Sequence, residues 1–221
     1  MAPKIAVVIP AYSSDPGLGA WATRTALTWK PLCDDLIISE DGNFHQELHD
    51  IADVYDVHEQ LWPAKNINLG WKIALARGAD YVAMMDLDAH WISGSLREAC
   101  LPGKVMVPSI VQHPDTVSIG PMFIVPKEVA AERGFLDPIK GPRLQSFDAD
   151  YHVRVNDIIF QSRQLKVYHD GGSVTGVHPY ENPDWAKQRE REAGGPFREI
   201  DPHRHEQRMK EDLEYRMIHT P

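Results

Sequence analysis

The chain has 221 residues, with 23 Lys and Arg against 32 Asp and Glu and a formal net charge of −9 at pH 7. That length supports one well-cored domain and is too short for two large ones. The acidic balance argues against broad electrostatic adhesion to nucleic acid or anionic lipid, and no apolar run approaches the roughly 20 residues that cross a bilayer.

Cys33 and Cys100 are too few for a disulfide framework and lack metal-ligand spacing, so both are expected to be reduced structural thiols. The opening MAPKIAVVIP passes from one Lys directly into a strand-like run, without the apolar stretch and cleavage site of a signal peptide. A cytoplasmic location is the expectation. An acidic protein that binds an anionic ligand needs a counter-charge, and a divalent cation is the obvious one.

In chain order, Ile5-Ala6-Val7-Val8-Ile9 reads as a strand buried on both faces, closed by Pro10. Residues from Leu18 to Trp29 are rich in helix formers. Leu36-Ile37-Ile38-Ser39 is a second strand, followed by the polar turn Glu40-Asp41-Gly42-Asn43. A helix is expected from His45 to about Tyr55, with a third strand beginning at Val54. Asn68 reads as an N-cap, with a helix from Trp71 to about Gly78, and Tyr81 to Met85 as a strand ending on Asp86. This β-α-β alternation predicts a mostly parallel sheet flanked by helices, which binds ligands at the carboxyl ends of its strands.

Further on, Val105 to Pro108 and Met122 to Pro126 read as strands, with a helix from Lys127 to Arg133 and a turn over Gly134 to Pro138. Asp148 to Gln164 fits an amphipathic helix, and Lys166 to His169 a last strand. From Asn182 onward the chain is Pro-rich and charged. The expected division is a domain over 1–180 and a tail or lid with a surface helix over 181–221.

Asp86-Leu87-Asp88 is the first chemical constellation. Two carboxylates one residue apart past an apolar strand suit a hard divalent cation, Mn²⁺ or Mg²⁺, that bridges diphosphate oxygens. The plainer alternative is that one of them caps the following turn. A second acidic pair, Asp148 and Asp150, begins the expected helix, where an N-cap role is equally compatible with facing a site. Trp21, Trp29, Trp62 and Trp71 read as core or helix-face padding. Trp91, three residues beyond Asp88, is a candidate wall of a sugar pocket.

The ordered segments IAVVIPAY, LIISEDG, NLGWKIALARGADYVAMMDLD, GPMFIVPKEV, GFLDP, SFDADYHVRV and GVHP resemble the GT-A fold glycosyltransferases of the family 2 type, over Ile5 to Pro179. The resemblance implies a Rossmann-like nucleotide-diphospho-sugar transferase fold and transfer of a sugar from a nucleoside-diphosphate sugar to a hydroxyl acceptor, with inversion. It places Pro10, Ala11 and Tyr12 against the nucleotide base, with Tyr12 stacking on it. Asp41 takes the base hydrogen bond, with Glu40 as its rival, and Lys65 lies near the nucleotide. Asp86 contacts ribose or metal, and Asp88 is the direct metal ligand.

Asp148 takes the place of the base that deprotonates the acceptor, with Asp150 as second choice, although Phe147 stands where the family has a glutamate. A late histidine completes the metal site in many members. His178 is preferred for it on spacing and His169 is the rival, while His203 and His205 are expected to face solvent.

Three other readings compete. They are a retaining transferase on the same fold, a nucleotidyltransferase, and a non-catalytic sugar-nucleotide module. The second expects a basic Gly-rich loop after the first strand, whereas Ala11 to Gly19 holds no Lys or Arg. The acceptor stays open among a small molecule, a glycan, a protein and a modified nucleic-acid base.

Overall fold

The computed structural model describes residues 2–11, 16–42, 44–58, 61, 63–111, 114, 117, 119–136 and 147–169, with the backbone alone at 16–18, 63 and 147–150. Their elements run β1 (Ile5–Ala11), α1 (Pro16–Trp29), a 3-10 turn (Lys30–Leu32), β2 (Asp35–Asp41), α2 (Gln46–Ile51), β3 (Val54–His58), α3 (Pro63–Ala76) and β4 (Tyr81–Met85). After these come β5 (Ala89–Ser93), β6 (Val105–Ile110), β7 (Met122–Pro126), α4 (Lys127–Arg133), α5 (Phe147–Val155) and β8 (Ile159–His169).

The strands form one sheet in the order β3-β2-β1-β4-β7-β6-β8-β5. Strands β3, β2, β1 and β4 are parallel, as the buried apolar stretches of β1, β2 and β4 and the helices between the strands predict. Beyond β4 the sheet becomes mixed: β7 is antiparallel to β4 and β6, β8 is parallel to β6, and β5 is antiparallel to β8.

Strand alternation divides the core into two layers. Ile5, Val7 and Ile9 face one side with Leu36, Ile38 and the α1 residues Trp21, Ala22, Ala26 and Trp29. Ala6 and Val8 face the other, with Ile37, Val82, Met84 and the α3 residues Ile67, Trp71 and Ala74. Trp71 is fully buried and meets Phe123, Phe135 and Tyr151 edge-on, at 5.0 to 6.3 Å between ring centroids. The padding role expected of Trp21, Trp29 and Trp71 is what the core shows, whereas Trp62 lies outside the described residues.

Several expectations need correction. Asn68 is not an N-cap: α3 starts at Pro63, a residue suited to a first helical turn, and Asn68 lies inside it. Its side chain instead bridges to the chain after α4, donating to the Leu136 carbonyl at 2.8 Å and accepting from the Leu136 amide at 3.1 Å. The helix expected to continue to Tyr55 ends at Ile51, because β3 takes Val54 to His58. The helix expected to reach Gln164 ends at Val155, and Ile159 onward belongs to β8. Strand β5 was not anticipated.

Cys33 and Cys100 are free, and burial pushes both thiols up to about 12, so neither is a ready nucleophile. The boundary expected at 180/181 falls outside the described residues. No helix among the described residues is long and apolar enough to cross a membrane.

Candidate metal and nucleotide site

Asp86, Leu87 and Asp88 follow β4 directly, at the carboxyl edge of the parallel strands. Two backbone bonds shape the segment: the Asp86 amide donates to the Pro121 carbonyl at 2.9 Å, and the Ala89 amide returns to the Asp86 carbonyl at 3.1 Å. The chain thereby reverses into β5 within one tight turn. Asp88 is almost fully buried, with 5% of its side chain exposed, while Asp86 keeps 45%.

β8 completes the cluster. Its last residue, His169, stands opposite Ala89 in the β5–β8 register. That pairing sets the imidazole Nε2 3.3 Å from Asp86 Oδ2 and 3.3 Å from Asp88 Oδ1. One ligand atom from each of the three residues lies within 4.8 Å of the others. Burial disfavours a charge on His169, but Asp88 and Asp86 outweigh it and push the imidazole from 6.5 up to about 10.

Two carboxylate oxygens and one imidazole nitrogen form a donor set suited to a divalent cation, and the nitrogen favours Mn²⁺ over Mg²⁺. The carboxylates that draw a proton onto the ring would draw such a cation equally, with the neutral imidazole as its nitrogen ligand. The residues fit the group. His178, the histidine preferred from sequence, lies outside the described residues, and its rival His169 meets both acids. What hid this was β5: without that strand, nothing in the sequence sets His169 beside Asp88.

A second polar group lies at the ends of β2 and β3. Asp41 is fully buried; its Oδ1 accepts the Leu61 amide at 2.6 Å and lies 3.5 Å from His58 Nδ1. His58 Nε2 is 3.1 Å from the Ser39 hydroxyl, which donates in turn to the Asn66 carbonyl at 3.2 Å. Glu40, also fully buried, faces the opposite side of the strand and accepts from the Tyr55 hydroxyl at 3.3 Å. The sequence did not single out His58, Ser39 or Tyr55.

Ala11 and Leu87 are buried, Pro10 is half-buried, and Lys65 is exposed on α3. Trp91 is half-buried in β5, its indole N–H donating to the Gly94 carbonyl at 3.0 Å. Tyr12 lies outside the described residues. Asp148 and Asp150 lie in the first turns of α5, described as backbone.

No family model matches the sequence, and no curated protein sequence matches it. Solved structures do match. One is the Pyrobaculum calidifontis mannosyltransferase PcManGT in complex with GDP-Man and Mn²⁺, at 12% identity and a TM-score of 0.54 over 76% of this chain and 57% of that one. This chain has the GT-A fold.

Residues 1–349 of S. aureus TarS in complex with UDP-GlcNAc match at 16% identity and a TM-score of 0.53, over 75% of this chain and 58% of that one. The catalytic domain of Drosophila β1,4-galactosyltransferase 7 in complex with xylobiose matches at 12% and 0.54, over 86% and 79%. The chain spans only 36% of the longer TarS chain.

Proposed function

We propose that the protein transfers a sugar from a nucleoside-diphosphate sugar to a hydroxyl acceptor, with Asp86, Asp88 and His169 holding a divalent cation. The observation that carries this reading is the convergence of those three side chains, within 4.8 Å, at the carboxyl edge of a GT-A sheet. GDP-Man with Mn²⁺ in the mannosyltransferase and UDP-GlcNAc in TarS support it by analogy of fold.

When bound, Mn²⁺ or Mg²⁺ supplies positive charge beside the departing nucleoside diphosphate. Asp88, shielded from water, is the firmer ligand, and half-exposed Asp86 has room to serve metal or ribose. Asp41 and the Pro10-Ala11-Tyr12 segment receive the base, and Lys65 lies on the nucleotide side. Asp148 takes the proton of the acceptor hydroxyl as that oxygen bonds to the anomeric carbon. The bond to the diphosphate breaks with its electron pair on the leaving oxygen, and the configuration inverts. Asp150 and Trp91 line the acceptor or sugar pocket. We place this chemistry in the cytoplasm.

The test is a thermal-shift screen of nucleoside-diphosphate sugars with Mn²⁺, with Mg²⁺ and with neither. A true donor at 100 times its Kd stabilises the fold by about 2.7 kcal/mol, and the shift disappears in Asp88→Ala. If no donor shifts the wild-type protein under any of the three conditions, the reading is wrong.

A further inference from the structure

Alternate residues of an extended segment send their backbone groups to the same edge. One edge of β5 pairs with β8, and the other faces α1. Unpaired strand edges are usually covered, and covering alone would be an ordinary structural duty. What covers this one, and the turn at Leu87 that leads into it, is specific. Thr25 Oγ1 donates to the Leu87 carbonyl at 2.5 Å, and Trp29 Nε1 donates to the Ala89 carbonyl at 2.7 Å. The Trp91 amide donates to Thr28 Oγ1 at 3.2 Å, and that hydroxyl donates in turn to the Thr25 carbonyl at 2.9 Å.

Residues 87, 89 and 91 are therefore held, one after another, by side chains of a single helical face. Thr25 and Trp29 are one helical turn apart and fully buried, so neither bond competes with water. The first held carbonyl belongs to Leu87, the residue between the two acidic ligands. The second belongs to Ala89, the residue directly opposite His169. His90 adds a further contact, with Nδ1 3.5 Å from Thr25 Oγ1.

We infer that Thr25 and Trp29 are positioning residues of the metal centre: their bonds to the carbonyls of Leu87 and Ala89 fix the backbone that sets Asp86 and Asp88 against His169. This rests on the metal reading above. Groups that orient ligands from behind typically control affinity by 10- to 100-fold. Thr25→Val keeps the shape of the side chain and removes its donor; Trp29→Phe keeps an aromatic ring and removes the N–H.

The experiment is a Mn²⁺ titration followed by electron paramagnetic resonance, on wild type, Thr25→Val, Thr25→Ser, Trp29→Phe and Asp88→Ala, each with its melting temperature. Thr25→Val is expected to weaken Mn²⁺ binding about tenfold at a temperature where it is fully folded. Thr25→Ser restores the affinity, and Trp29→Phe weakens it in the same direction.

If the Thr25→Val and Trp29→Phe proteins bind Mn²⁺ as wild type does, while Asp88→Ala loses it, the two residues merely cover an edge and the inference is overturned. Should Thr25→Val fail to fold, Trp29→Phe decides. Wild-type protein that binds no Mn²⁺ overturns the metal reading itself, and the positioning role with it.

Discussion

The two edges of the parallel strands use carboxylates in opposite ways. At the amino edge, Asp34, Asp53 and Asp80 each accept a backbone amide at the start of β1 or β2: Ile5 at 2.8 Å, Leu36 at 2.7 Å and Lys4 at 3.0 Å. Each is also paired with a permanent cation, Arg97 at 2.6 Å, Lys30 at 2.5 Å and Lys127 at 2.5 Å. Asp35 adds a bidentate bond from Arg77, at 3.1 and 3.2 Å, and Lys4 at 2.7 Å. At the carboxyl edge the partners of the acids include imidazoles, a hydroxyl and a backbone amide. Asp86 and Asp88 meet His169, Asp41 meets His58 and the Leu61 amide, and Glu40 meets the Tyr55 hydroxyl. One edge uses its charge to close the fold, and the other sets its acids beside polar and titratable groups, the arrangement from which the proposed site is built.

Substitutions at the two edges should therefore fail in different assays. The largest effect is expected from Asp88→Ala, which lowers sugar transfer on the order of 10²- to 10³-fold, the scale of losing one electrostatic stabiliser of a transition state. Mn²⁺ should raise the melting temperature of wild type and of any amino-edge variant but not of Asp88→Ala, which separates the two classes.

Next is Asp35→Asn, expected to cost about 1–3 kcal/mol of stability by chemical denaturation, from losing charged hydrogen bonds at a buried site. It should leave Mn²⁺ affinity unchanged. Burial opposes the Asp35 charge, but the hydrogen bonds from Arg77 and Lys4 prevail and hold its carboxyl below the usual 3.8. A lowered folded pKa means the contribution is fully present above the unfolded value of about 3.9 and lost as pH falls through the folded one. Acid unfolding of wild type should show that loss, and Asp35→Asn should flatten it.

Asp41→Asn is expected to weaken nucleoside-diphosphate binding about tenfold by calorimetry, the value of one charge-assisted hydrogen bond. The smallest effect belongs to Lys127→Ala. That pair is exposed, and the melting temperature should move by no more than about 2 °C. A larger drop would mean that the amino-edge pairs act as one network.

Legibility followed the same division. The strands β1, β2 and β4 could be read because burial on both faces leaves an uninterrupted apolar run, and the acids beyond them fell where a ligand edge was expected. β8 could not. Its register against β6 jumps from Pro108↔Ser162 to Ser109↔Lys166, so residues 163–165 bulge out and break the two-residue period. What remains, Tyr151, Val155, Ile158 and Ser162, imitates a helix. β5 is a five-residue edge strand containing His90 and Trp91, with little apolar alternation to reveal it. It stops at Gly94, whose φ of +95° suits glycine and where a Cβ would run into the Gln164 backbone. The metal acids were thus visible and His169 was a candidate, but choosing it over His178 depended on the pairing of β8 with β5, a strand that the pattern concealed.

That pairing also orders events in time. Strands β1 to β4 lie close together in sequence and can meet as soon as they are made, but β5 must wait for a partner near the far end of the described chain. Contacts between such distant segments close late, because the intervening loop must lose its freedom first. Asp86 and Asp88 should accordingly sit in place well before His169 arrives, so that tight metal capture marks the final step of folding. In refolding from denaturant, the Mn²⁺ signal should trail the recovery of tryptophan fluorescence from the core.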